Sequence, residues 1–527
     1  MSTTEPQRSP GWEERWSTEE SKAILQKFAV EEKEMHRKKS WFPCLGARNT
    51  VDSDSDTDEE GTAGMHADGK VDADGKFSNW ASTVQSKPAR VLAPRSAADV
   101  QDILAEARAH SPSARIRCTG SSHSWTELFA DDGAWLVDTS KLKKIAWSAY
   151  NNPTQVTVGP GVTCGELATF CDSKDRGEWR GMFLPSDVIL ETVTYGGVVN
   201  AACHGVGQTQ TICDYVVATS IIKWDGTREE LSRVDDPEGF ALKIAHFGLL
   251  GVTVGITFQL DAKRTAIKVT DRKQRAREIF LERGQLPAGE GSSNPLLELW
   301  KENYAVEIFY FPASSLEITN VLSHEFEDQE WDEYKDICTL KIFNRTENPI
   351  DKMKDFGAKP SLVSLYAKAA ASAFEPAFKT TGEVSYETSL SQAIHWQKYI
   401  TDGLPVSDTE VCIKCDPDFT SAYKAIHETI AIIKNFAEVE DTMPLNVAME
   451  MRFTKHSDSP LCPAYGIEDG SPASLPHWAK WTESYVEGAE AKLKKAYASR
   501  LPLLSKLSRE WDPNGMFVND FFKRVLF

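Results

Sequence analysis

The sequence lacks the signals that would place it in a membrane or outside the cell. Met1 is followed by a polar stretch rather than an apolar leader, so an ordinary secretory signal is not expected. No uninterrupted apolar run reaches the roughly 18–20 residues of a membrane span. The ten cysteines are scattered and form no dense framework, which is typical of reduced thiols. We therefore expect a protein of the cytoplasm or of an organelle, without a transmembrane span.

Positive charge is also scarce. The chain holds 59 lysine and arginine residues against 78 aspartate and glutamate residues, and its formal net charge is −19. Because the phosphate backbone of a nucleic acid requires a basic surface, this balance argues against a nucleic-acid partner. Hydrophobic residues make up 41% of the 527 residues, which is enough for a large core in more than one domain.

The first 76 residues differ from the rest of the chain. Thr18 precedes an amphipathic pattern that predicts a short capped helix ending in a basic cluster near Arg37, Lys38 and Lys39. The acidic tract 52–60 is too polar to bury a core, so residues 1–76 are predicted to be a short helix followed by a disordered acidic linker. The tract lacks the glycine that a calcium loop needs at its sixth position, and we expect no metal site.

From Phe77 onward the pattern predicts an α+β fold. Ser96 is placed to cap a helix whose apolar stripe includes Val100 and Leu104. Strands are predicted at residues 90–92, 114–118, 134–138, 155–158, 216–222, 251–260 and 306–311. The charged stretch after Asp261 predicts loops and a helix.

Two stretches rich in small residues can approach a ligand closely. The loop from Gly120 to Trp125 contains His123 and follows a predicted strand; turns of small residues form anion-binding concavities, although a loop histidine is more often an ordinary hydrogen-bonded residue. The second stretch, 184–207, contains Gly196, Gly197 and His204. It suits a ligand site or a tight turn around a buried histidine.

Two later segments carry charged side chains. Residues 447–453 predict a strand with an apolar core face and with Glu450 and Arg452 together on the other face. That second face suits either a polar cavity or an exposed ion pair. In residues 474–481 a helix is expected to begin at Ser474, which would place His477 and Lys480 one turn apart. Lys480 is then either a surface lysine or a positive charge fixed near a developing anion.

In this order, the segments resemble the FAD-linked oxidases of the vanillyl-alcohol oxidase type, most closely the sugar-1,4-lactone oxidases and alditol oxidases. The resemblance runs from about Asn79 to Phe527 and rests on Gly-Ser-Ser-His-Ser at 120–124, Cys-His-Gly-Val-Gly at 203–207, Glu-Met-Arg at 450–452, His-Trp-Ala-Lys at 477–480 and Asp-Pro-Asn-Gly-Met-Phe at 512–517. Ser122 stands where the family pattern has glycine, and Cys203 stands where it has threonine.

The resemblance implies a two-subdomain FAD-binding domain of the PCMH type over residues 77–262 and an α+β substrate (cap) domain over 263–500. The aromatic turn near the C-terminus predicts that residues 501–527 dock back onto the first domain. The resemblance assigns FAD binding to Gly120, Ser121, Ser122, His123, Ser124, Trp125, Pro185, Ser186, Thr192, Gly196, Gly197, Asn200, Cys203, His204, Gly205 and Val254. It implies a covalent bond from His123 to the flavin.

The catalytic residues implied by the resemblance are Glu450, Arg452, Lys480 and His477. Glu450 and Arg452 would orient a substrate hydroxyl and assist its deprotonation as hydride leaves, and Lys480 would stabilise the charge of the reduced flavin. The expected reaction is oxidation of a sugar-1,4-lactone, such as D-arabinono-1,4-lactone, with O2 as acceptor and peroxide as product. A polyol or specialised-metabolite oxidase, and a flavin-free interaction protein on the same fold, remain open alternatives.

Overall fold

The structure is a computed structural model that describes residues 70–110, 112–147, 152–173, 180–287, 293–315, 318–320, 325–326, 331–350, 383–395, 408–439, 448–465, 474–481 and 486–527. The predicted helix and acidic tract of the first 69 residues lie outside these ranges. Within the described residues, no helix has the length and apolar content needed to cross a bilayer.

The fold is α+β. The strands of the described part are β1 Lys70–Val71, β2 Phe77–Ser78, β3 Gln85–Ser86, β4 Arg90–Leu92, β5 Ile116–Thr119, β6 Trp135–Asp138, β7 Ile145–Trp147, β8 Gln155–Val158, β9 Val216–Ile222, β10 Arg228–Ser232, β11 Val252–Gln259, β12 Thr265–Arg275, β13 Ala305–Phe311, β14 Ile318–Asn320, β15 Glu325–Phe326, β16 Ile337–Pro349, β17 Glu383–Thr388, β18 Val411–Ile413, β19 Met449–Arg452 and β20 Ser474–Pro476.

The helices of the same residues are α1 Ala97–Ala109, α2 Cys164–Asp172, α3 Tyr195–Asn200, α4 Pro237–Ile244, α5 Ala276–Phe280, α6 Pro295–Glu302, α7 Leu390–Ile394, α8 Thr420–Val439, α9 Ala489–Ala496, α10 Leu501–Trp511 and α11 Asp520–Leu526. The strands predicted from alternating and β-branched runs are confirmed, with shifts of one or two residues at their ends.

The first sheet is small and parallel. Its order is β4-β6-β5, and both pairings are parallel, so α1 serves as the crossover between β4 and β5. The predicted cap is confirmed: the Ser96 side chain accepts from Asp99 N, and Asp99 bonds back to the backbone of Ser96. Val100 and Leu104 of α1 are buried against Trp135. This unit presents the C-terminal end of β5, where the His123 loop begins.

A second, antiparallel sheet has the order β10-β9-β11-β8-β7. Its register shifts between Thr253 and Gly255, so Val254 is the extra residue of a bulge in β11. The largest cluster of buried apolar residues joins this sheet to α2 and α3, and it also contains residues of the cap sheet and of the C-terminal helices. The two halves of the chain therefore share one core.

The cap sheet has the order β17-β12-β16-β13-β19 and is antiparallel throughout. One face is apolar and packs against residues of α5, α6 and α8. Met449, Met451 and Phe453 lie on this face, which confirms the predicted core side of their strand. Glu450 and Arg452 therefore lie on the opposite face, away from these helices.

The prediction of loops and a helix after Asp261 missed a strand: residues 265–275 form the long strand β12, and helices α5 and α6 follow it. The charges that suggested a loop are accommodated in pairs across the sheet. Asp271 is buried and its Oδ1 lies 3.0 Å from Nζ of Lys341 on β16, while Arg272 meets Glu383 on the exposed side. A strand tolerates such residues when each buried charge faces an opposite charge.

Both ends of the described chain pack on the first domain. Lys70 and Val71 pair with β2 inside the stretch assigned to the linker, because Gly75 turns the chain at φ +76°. At the other end, Phe517 O accepts a hydrogen bond of 2.8 Å from the buried guanidinium of Arg117.

Leu104→Ala should lower the free energy of unfolding by about 2–5 kcal/mol, because it leaves a cavity under the parallel sheet. Asp102→Ala, on the exposed side of the same helix, is the matched control and should change it by less than about 0.5 kcal/mol. Urea unfolding followed by fluorescence measures both. Equal effects of the two variants would contradict the packing described for α1.

Candidate active site

The loop that leaves β5 is shaped by two residues. Gly120 has no room for a side chain, since a Cβ there would overlap the Thr194 hydroxyl. Ser122 has φ +58°, a left-handed conformation that costs a non-glycine residue about 1–2 kcal/mol. Its buried hydroxyl lies 2.8 Å from the Thr119 hydroxyl. Serine thus adopts the backbone shape for which the family pattern has glycine.

His123 is held by an aromatic neighbour. Its ring stacks on the indole of Trp80 with 4.8 Å between ring centroids and 17° between planes. Trp80 N also donates to Ser122 O at 3.0 Å. The imidazole is half-buried, and the stack fixes its plane relative to the loop.

The His123 loop is hydrogen-bonded directly to the segment that contains Lys480. Trp125 N donates to Ala479 O at 2.8 Å. The buried hydroxyl of Thr126 lies 2.7 Å from Trp478 O and 2.8 Å from Trp481 O. Ser124 lies beside this contact, with its hydroxyl 3.1 Å from Thr126 O. Two segments far apart in the sequence therefore form one wall.

The second small-residue stretch packs against the same loop. Ser121 Oγ donates to Thr192 O at 2.6 Å. Gly196 lies so close to Pro160 that a Cβ would come within 2.7 Å of the proline ring. Asn200, at the end of α3, donates to Gly196 O at 2.8 Å and to Thr253 Oγ1 at 3.2 Å. The two stretches thus form one concave surface.

Several buried polar atoms on this surface have no hydrogen-bond partner among the described residues. They are Ser186 Oγ, Thr192 Oγ1, Thr194 Oγ1 and Asn200 Oδ1. Buried polar groups are nearly always hydrogen-bonded, so these four groups are available to bond a ligand. A cradle of glycines and unsatisfied hydroxyl and amide groups fits a dinucleotide such as FAD.

Beside this surface lies a cluster of charged groups around Lys480. Its ammonium lies 2.5 Å from Asp408 Oδ2 and 2.6 Å from Glu410 Oε2. Burial alone would lower the pKa of Lys480, but Glu410 and Asp408 raise it above its ordinary value. Lys480 is therefore a permanently charged group that already has two acidic partners.

Glu410 also binds His204. His204 Nε2 contacts Glu410 Oε1, and its Nδ1 lies 2.9 Å from Gly205 O. Because a carbonyl oxygen can only accept, Nδ1 carries a hydrogen, and Nε2 faces the carboxylate. Burial alone would raise the pKa of Glu410, but His204, Lys480 and His477 hold it well below its ordinary value.

His477 and Cys203 complete this side of the cluster as neutral groups. Burial lowers the pKa of His477 to about 4, against the opposing effect of Glu410. Its Nδ1 accepts from Ala479 N at 3.2 Å, as expected of a neutral ring. Burial raises the pKa of the Cys203 thiol to about 12, although Lys480 opposes the shift.

Glu450 and Arg452 join the cluster from the cap sheet. Arg452 Nε lies 3.0 Å from Glu450 Oε1. Burial alone would lower the pKa of Arg452, but Glu450, then Glu410 and Glu307, raise it above its ordinary value. The acids of both segments thus act on one guanidinium. The structure places the four residues named as catalytic from the sequence within one electrostatic network.

Comparison with known proteins supports FAD as the cofactor. A family described as an FAD binding domain matches residues 88–232, which include the His123 loop and the second stretch, 184–207. The L-gulonolactone oxidase of Mus musculus is 29% identical over 185 residues, covering 35% of this chain and 40% of that protein. The chain contains an FAD-binding domain, and its match spans about 40% of the length of this relative.

Longer matches support the same family. The L-gulonolactone oxidase of Scyliorhinus torazame is 20% identical over 498 residues, covering 86% of this chain and 98% of the relative. Among solved structures, cholesterol oxidase from B. sterolicum superposes with a TM-score of 0.62 and 14% identity over 86% of this chain and 97% of that one. The structural likeness shows that the fold is shared.

The structure contradicts one sequence prediction, the helix at Ser474, and gives the positions of Val254 and Gly197. The helix expected from Ser474 is wrong: residues 474–476 form β20, paired with β18, because Leu475 is fully buried in the main core. Val254, predicted to bind FAD, packs against the core beneath α1, while its neighbour Thr253 meets Asn200. Gly197 is exposed and a Cβ there would meet little.

Sequence reasoning missed Trp80, Asp408 and Glu410. A usable signal existed for the two acids. Asp408, Glu410 and Cys412 alternate at the start of an apolar strand, and period-two spacing places alternate side chains on one face. Trp80 carried no such signal, because only the folded loop brings it onto His123.

Glu410→Gln should lower the free energy of unfolding of the protein by about 3–5 kcal/mol at pH 5.5, because it removes a carboxylate that compensates the largely buried ammonium of Lys480. The folded pKa of Glu410 lies below its ordinary 4.5, so its stabilising contribution is complete above that pH and is lost as the pH falls through the folded pKa. The difference from wild type should therefore be smaller at pH 3.5.

Denaturant unfolding at the two pH values measures this difference. Glu428→Gln, an exposed site on α8, is the control and should show little change at either pH. A Glu410→Gln deficit that is as large at pH 3.5 as at pH 5.5 would contradict the assignment of Glu410 as an ionised partner of Lys480.

Proposed function

We propose that this flavoenzyme oxidises a CH–OH group of a sugar-1,4-lactone, of which D-arabinono-1,4-lactone is an example, and passes the electrons to O2. The alcohol carbon loses a hydride and its hydroxyl loses a proton to give a carbonyl group, while O2 takes up two electrons and two protons to give hydrogen peroxide. The names of the relatives support a lactone substrate. The observation that carries the proposal is the junction of Thr126 with residues 478–481, which joins the His123 loop to the Lys480 cluster.

FAD would be held by the concave surface formed by the Gly120 loop and the segment from Pro185 to Gly205, and when bound it accepts the hydride from the alcohol carbon. The small residues allow the backbone to approach the diphosphate, and the unsatisfied Thr192 and Thr194 hydroxyls offer hydrogen bonds. We assign to His123 the covalent link to the flavin, because its ring is fixed by the Trp80 stack.

The charged groups of the chain would handle the substrate hydroxyl. Arg452 carries five N–H donors, and its Nε serves Glu450, so the guanidinium can donate its remaining hydrogens to a lactone oxygen. Glu450 accepts the hydroxyl hydrogen and can take its proton as the hydride leaves. Its side chain is 28% exposed, which leaves it more accessible than the buried Glu410.

Lys480 has three N–H donors. Asp408 and Glu410 engage two of them among the described residues, and we assign the third to negative charge that develops beside it during the reaction. The two carboxylates keep the ammonium charged and fixed in place, so no reorganisation is needed when that charge appears. Lys480 therefore acts as an electrostatic group rather than as a base.

The covalent role of His123 predicts a yellow protein that keeps its colour after denaturation. Acid-precipitated wild type should retain flavin fluorescence in the pellet, because a histidyl bond survives unfolding. His123→Ala should release its flavin into the supernatant, whereas His456→Ala, an exposed histidine, should behave as wild type. Release of all flavin from the wild-type pellet would remove the covalent role.

The substrate is tested by measuring peroxide release from the purified holoprotein with sugar-1,4-lactones and with polyols. Lactones should give a higher kcat/KM than polyols. With the lactone as substrate, Lys480→Met should lower the rate of flavin reduction by about 10²–10³-fold, with flavin still bound. Lys492→Met, an exposed lysine, is the control. Faster turnover of polyols would replace lactone by polyol as the substrate class. Substrate-dependent reduction of a dye without peroxide would exclude O2 as the acceptor.

A further inference from the structure

The face of the cap sheet that carries Glu450 also carries a row of four charged residues. The strand register pairs Asp271 with Lys341, Lys341 with Glu307, and Glu307 with Arg452. Residues directly opposite each other on neighbouring antiparallel strands have their side chains on the same face and in contact range. The row therefore alternates negative, positive, negative and positive across four adjacent strands.

The row is almost completely shielded from solvent. Asp271 is 1% exposed, and Lys341 and Glu307 are both 0% exposed. Lys341 Nζ lies 3.0 Å from Asp271 Oδ1 and 5.8 Å from the centroid of the Tyr386 ring. A buried charge is strongly destabilising unless opposite charges compensate it. Glu307 has a cation on either side, Lys341 on β16 and Arg452 on β19, and these two positions account for its burial as a carboxylate.

The row ends in the candidate active site. Arg452 is its last member, and the guanidinium Nε of Arg452 lies 3.0 Å from Glu450 Oε1. Glu307 and Glu450 thus flank Arg452, one on the neighbouring strand and one two residues away on its own strand. Both acids contribute to raising the pKa of Arg452. A change in the charge of Glu307 would therefore alter the forces that hold the guanidinium.

We propose that Lys341 is a positioning residue for the active site, which keeps Glu307 ionised so that Glu307 can hold the guanidinium of Arg452. This inference rests on the proposed function, which assigns substrate binding to Arg452. Without Lys341, Glu307 loses the cation opposite it on β16 and keeps Arg452, the cation opposite it on β19. Glu307 then takes up a proton, and Arg452 keeps only Glu450 as a close restraint on the cap sheet.

Two variants separate this role from a merely structural ion pair. Lys341→Met should raise KM for the lactone about tenfold and change kcat less, with flavin content unchanged. The double variant Asp271→Asn/Lys341→Met removes the pair as a unit and should recover thermal stability, while KM stays raised because Glu307 still lacks its cation. If the double variant recovers both stability and KM, the pair is structural only and the proposal is wrong.

A matched control lies on the exposed side of the same strand. Arg272 Nε lies 2.9 Å from Glu383 Oε2, and both side chains are exposed. The variant Arg272→Gln/Glu383→Gln removes an ion pair between β12 and β17 without touching the buried row. It should leave KM, kcat and flavin content at wild-type values. A rise of KM in this control equal to that of the double variant would attribute the effect to the sheet as a whole and overturn the proposal.

A second measurement needs no substrate. Hydrogen exchange of the Arg452 Nε–H can be followed by nitrogen-15 NMR, and the variant Arg452→Lys assigns its signal. The exchange should be about tenfold faster in Asp271→Asn/Lys341→Met than in wild type. Faster exchange in a protein that oxidises no lactone would refute the proposed function and leave the role of Lys341 supported. Lactone oxidation with unchanged exchange and unchanged KM would support the function and refute the role of Lys341.

Discussion

The closure of the His123 loop onto residues 478–481 is the contact on which the site depends. Thr126, through its hydroxyl, and Trp125, through its amide, reach the carbonyl oxygens of Trp478, Ala479 and Trp481. Each such hydrogen bond contributes only about 1 kcal/mol to stability, but together they fix the position of Lys480 relative to the flavin cradle. Without this closure, the cradle and the charged cluster would be two separate surfaces.

The second constraint is the burial of charge. Lys480, Glu410 and Arg452 lie in a region of low exposure, where an unpaired ion is costly and a paired one is fixed in position. The protein meets this constraint by alternating signs, both around Lys480 and along the row that ends at Arg452. Such an arrangement suits a reaction in which charge moves by one proton and one hydride, since the surrounding dipoles and ions need not rearrange.

Much of the fold could be predicted from the sequence, because β-branched runs such as that of β9 and capped stripes such as that of α1 are local signals. The pairing of Glu450 with Arg452 on one face was predictable from period two alone. Local signals failed where tertiary contacts decide. Residues 265–275 are rich in charge but form β12, in which the buried Asp271 is compensated by Lys341 on β16. The segment at Ser474 resembles a helix start but forms β20, in which Leu475 is buried. Glu410 was missed because its partners are distant in sequence. The roles of the site residues remain predictions.

The most direct test of the account is the anaerobic rate at which substrate bleaches the flavin band near roughly 450 nm in Thr126→Val. This change removes the two hydroxyl contacts and keeps the side-chain shape. The account predicts full flavin content and a reduction rate lowered by about tenfold or more, since a small displacement of positioning groups costs that much. Thr126→Ser, which keeps the hydroxyl, and Thr169→Val, an exposed control, should reduce at close to the wild-type rate. A wild-type rate in Thr126→Val would contradict the claim that this closure assembles the site.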